Sequence, residues 1–279
     1  SGVVVHDRQG DRCDVIPNPA TGRVHVLASH PTQARMTTLD RSGSAWVVVT
    51  GINKISIPGI AHQENSAGGF SAGILYIAEF KTTPELRVNW SSDSGATWQA
   101  APAVIADSTR MGDDTGHYLS TGDEGGLPDL VGWTDAAGAH IGILLGEDPR
   151  QLWFLRLDAG SDPSSPGSWH NETMPAWASD DHVSIAGMAD GRLVGFVKSN
   201  VGDTTYAALV RGIDGTWSLT QTSMVGRRPG VQVDILSGRV GCFASNTSTG
   251  TRVTCRVFDP NALVFGDELD VITNGTDNF

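Results

Sequence analysis

Residues 91–98 read SSDSGATW, a polar turn that closes on a tryptophan. An Asp two residues before a Gly can accept hydrogen bonds from the backbone of its own loop. The Gly can take the left-handed conformation, and the Trp is large enough to anchor the exit of the turn in a core. Weaker versions recur along the chain. DRSGSAW ends at Trp46, SSPGSW at Trp169, IDGTW at Trp217 and DPNALVF at Phe265, and with Trp98 the steps between markers are 52, 71, 48 and 48 residues.

A second set of marks lies between them. DRCDVIPNPATGRVHVLASH, HQENSAGGFSAGILYIAEF, DDHVSIAGMADGRLVGFVKSN and RRPGVQVDILSGRVGCFASN align on the turn glycines Gly22, Gly73, Gly191 and Gly238. A further copy, DEGGLPDLVGWTDAAGAHIGILLGE, fits with a longer hairpin. Short apolar runs rich in Val, Ile and Leu flank these turns at intervals of about ten residues, the pattern of many short strands. Five units of roughly 50 residues, each with four antiparallel strands, describe an all-β, five-bladed β-propeller, with six blades as the alternative. The whole of residues 1–279 is expected to form one domain. The 71-residue step places an insertion in blade three, at about residues 106–122. VVVH at residues 3–6 is expected to close the ring on the last blade, because propellers hide their sheet edges.

SSDSGATW matches the Asp-box, S-x-D-x-G-x-T-W, of the sialidase-like (BNR-repeat) propellers at Ser91, Asp93, Gly95, Thr97 and Trp98. DDHVSIAGMADGRLVGF also resembles the blade-opening strand of BNR-type polysaccharide-degrading propellers. The resemblance implies that the Asp-box sits on the outer rim as a structural turn. True sialidase activity is not expected. Sialidases open on an Arg-Ile-Pro segment and use a Tyr nucleophile paired with Glu; here the segment is missing, and the tyrosines are Tyr76, Tyr118 and Tyr206.

In a propeller the first strand of each blade lines the central channel, and its leading end opens on one face. A polar pair occupies that register in every repeat. The ring reads Asp11 and Arg12, with Asp14 one pleat on; His62, Gln63 and Glu64; Asp123 and Glu124; Asp180, Asp181 and His182; and Arg227 and Arg228. Glycoside hydrolysis needs one carboxyl that stays protonated and a second that is ionised, and neighbouring carboxylates split their pKa values in that way. Asp11, Asp14, Glu64, Glu124 and Asp181 are therefore the catalytic candidates. By analogy with five-bladed glycosidases, the base would be Asp11 or Asp14, the supporting carboxylate Glu64 and the acid Glu124. Arg12, His62, Asp180, His182, Arg227 and Arg228 would hold substrate, with His117 and Tyr118 reaching over the mouth from the insertion.

This makes a secreted glycoside hydrolase acting on a polysaccharide or glycoconjugate the leading expectation. A polysaccharide lyase with a His or Tyr base beside Arg228 is one alternative, and a non-catalytic glycan-binding propeller is another. A net charge of -12 with no Lys/Arg run disfavours nucleic acid, and no run of 18 apolar residues marks a membrane span. A monomer is expected. No cofactor is expected, although the carboxylate ring supplies enough oxygen ligands for a structural calcium ion in the channel. Sequons begin at Asn89, Asn171, Asn246 and Asn274, which permits secretion. Centring a turn on residues 246–251 puts Cys242 opposite Cys255, within disulfide reach, and such a bridge favours an oxidising compartment. Cys13 is then left as a core residue.

Overall fold

The computed structural model describes residues 13–28, 34–60, 66–81, 83–119, 126–147, 151–199, 205–226, 228–245 and 252–273. Five antiparallel sheets follow one another along the chain, each filled in sequence order from its first strand outwards. Blade one holds β1 (Cys13–Asn18), β2 (Arg23–Ala28), β3 (Arg35–Ser42) and β4 (Ala45–Val48), with a short β5 (Ile55–Ser56) paired to β3. Blade two holds β6 (Ser66–Ser71), β7 (Ile74–Lys81), β8 (Glu85–Ser91) and β9 (Ala103–Asp107), plus a two-residue β10 (Arg110–Met111). Blade three is β11 (Asp129–Asp135), β12 (Gly138–Glu147), β13 (Gln151–Asp158) and β14 (Trp169–Glu172). Blade four is β15 (Ser179–Gly187), β16 (Leu193–Ser199), β17 (Tyr206–Arg211) and β18 (Trp217–Thr222). Blade five is β19 (Pro229–Val233), β20 (Val240–Ser245), β21 (Arg252–Asp259) and β22 (Val264–Thr273). The chain is a five-bladed β-propeller.

The turn marks have the geometry that their chemistry requires. The glycine of each first hairpin has positive φ, at 71° in Gly22, 83° in Gly73, 132° in Gly138, 88° in Gly191 and 69° in Gly238. In the turn at residues 91–98, Asp93 accepts from the Thr97 backbone at 2.8 Å, the Thr97 hydroxyl at 2.6 Å and the Ser91 hydroxyl at 2.8 Å. Trp98 Nε1 donates to the Gly95 carbonyl at 3.2 Å, and its ring packs on the core between blades one and two. The side chains of Ser91, Asp93, Thr97 and Trp98 are engaged in holding the turn.

Apolar side chains collect between blades. Separate clusters join blades one and two around Ile16 and Leu75, two and three around Tyr76 and Leu155, three and four around Leu144 and Leu209, and four and five around Phe196 and Val240. The first strands β1, β6, β11, β15 and β19 contact each other in turn. Their approach is close: a Cβ at Gly132 of β11 would collide with the Phe70 carbonyl oxygen on β6. Side chains stitch the inner strands together. Asp14 accepts from Gly68 N at 3.2 Å, Asp129 from Ile185 N at 2.9 Å and Ser184 from Val231 N at 3.2 Å.

The insertion begins as the β9–β10 hairpin and then runs along the outer strand of blade three. Asp113 N donates to the Trp169 carbonyl at 2.8 Å, and Asn171 N donates to Asp113 Oδ1 at 2.9 Å. The expected closing strand at residues 3–6 lies outside the described residues.

The disulfide expectation is corrected. Cys242 and Cys255 are buried free thiols. β20 and β21 pair Cys242 with Arg256 and Phe243 with Cys255, so the two thiols point to opposite faces of the sheet. Asn89 is fully buried, with its amide donating to the Pro58 and Gln99 carbonyls, so its sequon is closed to glycosylation in the folded chain. Among the described residues no helix is long and apolar enough to cross a membrane.

Candidate functional site

Most of the expected channel ring lies outside the described residues: Asp11, Arg12, His62, Glu64, Asp123, Glu124 and Arg227, together with the side chain of Asp181. Blade four supplies the part that is described. Asp180 Oδ1 lies 2.6 Å from His182 Nδ1, and Asp180 Oδ2 accepts from Lys198 Nζ at 2.6 Å. Lys198 is buried and was not foreseen as a partner. The Tyr206 hydroxyl is pushed up by burial and by the charge of Asp180. Burial alone raises Tyr76 to about 12, so neither buried tyrosine is prepared to act as a nucleophile at neutral pH.

The other candidates are dispersed. Asp14 spends one oxygen on the seam to blade two. Arg228 donates its backbone N–H to Ser245 Oγ at 3.3 Å at the start of blade five. His117 lies 2.6 Å from Asp114 and meets the Trp153 ring edge-on at 5.5 Å, while Tyr118 is exposed on the same segment. Both sit with the insertion, beside blade three. No group of three or more His, Cys, Asp or Glu among the described residues is placed to hold a metal ion.

A more complete site lies at the opposite end of the blades. There the first hairpins of blades three and four, the third hairpin of blade four and the end of β14 enclose a groove of ≈ 830 Å³. Two strand ends build its floor. Glu172, the last residue of β14, accepts Arg211 Nε and Nη2 at 2.8 Å each, a bidentate pair. Arg211 ends β17 and faces Trp217 across the β17–β18 pair. Trp217 Nε1 also donates to Glu172, at 2.9 Å, and its ring meets Phe154 edge-on, which fixes the indole against the wall. The Arg211 side chain is only 4% exposed, and its guanidinium stands 5.2 Å from the Trp133 ring centroid. Its Nη1 is buried and has no hydrogen-bond partner.

A second tier of charges supports this floor. Arg156 Nη1 pairs with Asp158 at 2.9 Å, and Arg156 Nε lies 3.2 Å from Glu172. His140, almost fully buried, sits between Asp158 at 2.8 Å on Nδ1 and Asp135 at 2.9 Å on Nε2. Partial desolvation pushes the Asp135 carboxyl up. Hydrogen bonds from His140 and Ala137 N–H, the His140 charge and the Trp133 indole outweigh it, and hold Asp135 at about 2. The groove is thus lined by carboxylates, a paired guanidinium and a fixed indole.

The same fold carries lectins. A SapL1 lectin in complex with alpha-methyl fucoside matches with a TM-score of 0.58 at 8% identity, over 94% of this chain and 80% of that one. A lectin of Aleuria aurantia in complex with alpha-methyl-L-fucoside matches with a TM-score of 0.55 at 9% identity, over 93% and 77%. TolB from Acinetobacter baumannii matches with 0.55 at 12% identity, over 93% and 54%. At these identities the likeness is one of fold. No protein-family model and no curated protein sequence matches the chain.

Arg211, Glu172, Arg156, Asp135 and His140 were not foreseen as functional. Trp217 was read as a turn marker only. The available signal was the cross-strand pair: an Arg ending a third strand directly opposite the Trp that begins the fourth.

Proposed function

We propose that the protein is a non-catalytic glycan-binding propeller whose site is the groove between blades three and four. The observation that carries this reading is the Glu172–Arg211–Trp217 arrangement. A sugar hydroxyl is both donor and acceptor, so its recognition needs a carboxylate and an N–H donor fixed side by side. The Glu172 carboxylate and the Arg211 guanidinium, held side by side in the lining of the groove, answer that need. An indole offers an apolar surface to the C–H side of a sugar ring while its N–H stays paired. The volume of the groove falls within the range of small-ligand sites. The lectins that share this fold support the reading.

A glycan array decides it, read with the wild type beside Trp217→Ala and Glu172→Gln, both checked for folding by circular dichroism. Wild type should retain a defined set of glycans, and both variants should lose them. Retention of no glycan, or full retention by both variants, overturns the reading.

A hydrolase or lyase acting at the channel end is the second reading. The contact of Asp180 with both His182 and Lys198 favours it, because a carboxylate held in this way can orient an imidazole as a base. Release of reducing ends, or the ultraviolet absorbance of an unsaturated uronate, from a panel of polysaccharides would support it. Intact polysaccharides after prolonged incubation would remove it.

A further inference from the structure

The groove does not end at Glu172. A second cavity of ≈ 280 Å³ shares Glu172 and Thr173 with it, and a third of ≈ 630 Å³ shares Gln151 and Ala176 with the second. All three follow one stretch of chain, residues 172–178, which carries the outer strand of blade three over to the inner strand of blade four. At the two junctions Thr173 and Ala176 are exposed residues with small side chains, so the partitions between the cavities are low. Each cavity also contains an indole: Trp217 in the first, Trp153 in the second and Trp177 in the third. Trp177 Nε1 is already satisfied by the Lys198 carbonyl at 3.3 Å, which leaves its ring as a contact surface.

We infer that the ligand of this site is a neutral oligosaccharide chain several units long, bound along the crossover from Trp217 to Trp177, rather than a single terminal sugar. The inference rests on the glycan-binding reading above and deepens it. Seven residues of chain span up to roughly 20 Å, the length of roughly four hexose units. The charge along the path disfavours an acidic polymer. Asp135, Glu172, Asp190 and Asp214 outnumber Arg156 and Arg211 in the first cavity, Asp114 and Glu172 line the second beside a single His117, and the third carries no charged side chain. A uronate or sulfate would meet net repulsion in the first two. Gln151, Ser199, Thr205 and Gln221 in the third supply amides and hydroxyls suited to uncharged hydroxyl partners.

The test is calorimetric titration of the full chain with cello-, manno-, xylo- and malto-oligosaccharides of increasing length, from the monosaccharide to the hexasaccharide. In at least one series affinity should rise about tenfold or more between the disaccharide and the pentasaccharide. Ala176→Trp fills an exposed junction without touching the core. It should hold the pentasaccharide at the affinity of the disaccharide while leaving disaccharide binding unchanged. Trp177→Ala should have the same selective effect on long ligands. Affinity that is flat with length, yet lost in Trp217→Ala, would overturn the extended ligand and leave the groove as a glycan site. An Ala176→Trp variant that binds long chains as the wild type does would also overturn it. Binding of no sugar in any series would sink this inference and the glycan reading together.

Discussion

Glu172→Gln is the most informative single substitution, because one carboxylate serves three partners. It accepts two hydrogen bonds from Arg211 and one from Trp217, and it lies 3.2 Å from Arg156 Nε. Gln keeps the shape but offers one acceptor oxygen in place of two, and no charge. One Arg211 bond is lost, and a guanidinium that is 4% exposed loses its anion. Losing a hydrogen bond to a charged group costs about 1.5–3 kcal/mol, and breaking a buried pair costs about 3–5 kcal/mol. Glu172 borders the groove at 13% exposure, so water relieves part of the penalty. The expected loss is about 2–3 kcal/mol, which for a chain of this size lowers Tm by roughly 4–6 °C. Equilibrium urea unfolding followed by circular dichroism measures it. Arg211→Met should cost a comparable amount, and the double variant Glu172→Gln/Arg211→Met should cost less than the two losses added, by about 1 kcal/mol or more. A single variant within about 0.5 kcal/mol of wild type, or losses in the double variant that simply add, would refute the claim that these groups form one interdependent floor.

Three further outcomes are expected. Asp135 titrates lower in the folded chain than its ordinary 3.8, at about 2, so its stabilising contribution is complete above about pH 4 and fades as pH falls through about 2; Asp135→Asn should flatten that part of a Tm-against-pH curve. Gly132→Ala puts a methyl group against the Phe70 carbonyl at the inner ring and should cost about 1–3 kcal/mol in urea unfolding, whereas a comparable loss in Gly230→Ala, where the added carbon meets its nearest atom at 3.8 Å, would contradict a purely steric cause. In a Cys13→Ser background, a thiol reagent should find neither Cys242 nor Cys255 in the native protein, since both are buried and burial pushes both thiols up; both should react after unfolding without reductant, and a protein that yields no thiols would restore the bridge.

The architecture was legible because its marks are local. A left-handed glycine and an Asp that binds its own loop act within a few residues, so Gly22, Gly73 and Trp98 reported their turns independently of the rest of the chain. Pairing across a longer loop was less legible. The turn before β21 leaves the register open by one residue, and that one residue separates Cys242 opposite Cys255 from Cys242 opposite Arg256. With the bridge goes one of the two arguments for an oxidising compartment. Asp180 and His182 are two residues apart on one strand, so their contact is local, whereas Lys198 comes from the neighbouring strand and has no local signature. The groove was the least legible part. Glu172 and Arg211 are 39 residues apart and meet only because adjacent blades place their third and fourth strands side by side. A charged residue at a strand end reads in one dimension as ordinary surface.

The seams between inner strands bear on how such a ring could be lengthened or shortened. Asp14, Asp129 and Ser184 each reach forward to a backbone amide of the following blade. The repeats therefore join like successive links with a polarity, each unit carrying the clasp and its successor the eye. Removing one blade would bring a clasp against an amide of different spacing and side-chain crowding, and a half-buried acceptor without its donor carries a cost. Exchange of blades between related rings is consequently constrained at these inner-strand contacts more than at the hairpins that border the groove. The hairpins can vary in sequence without disturbing these inner contacts.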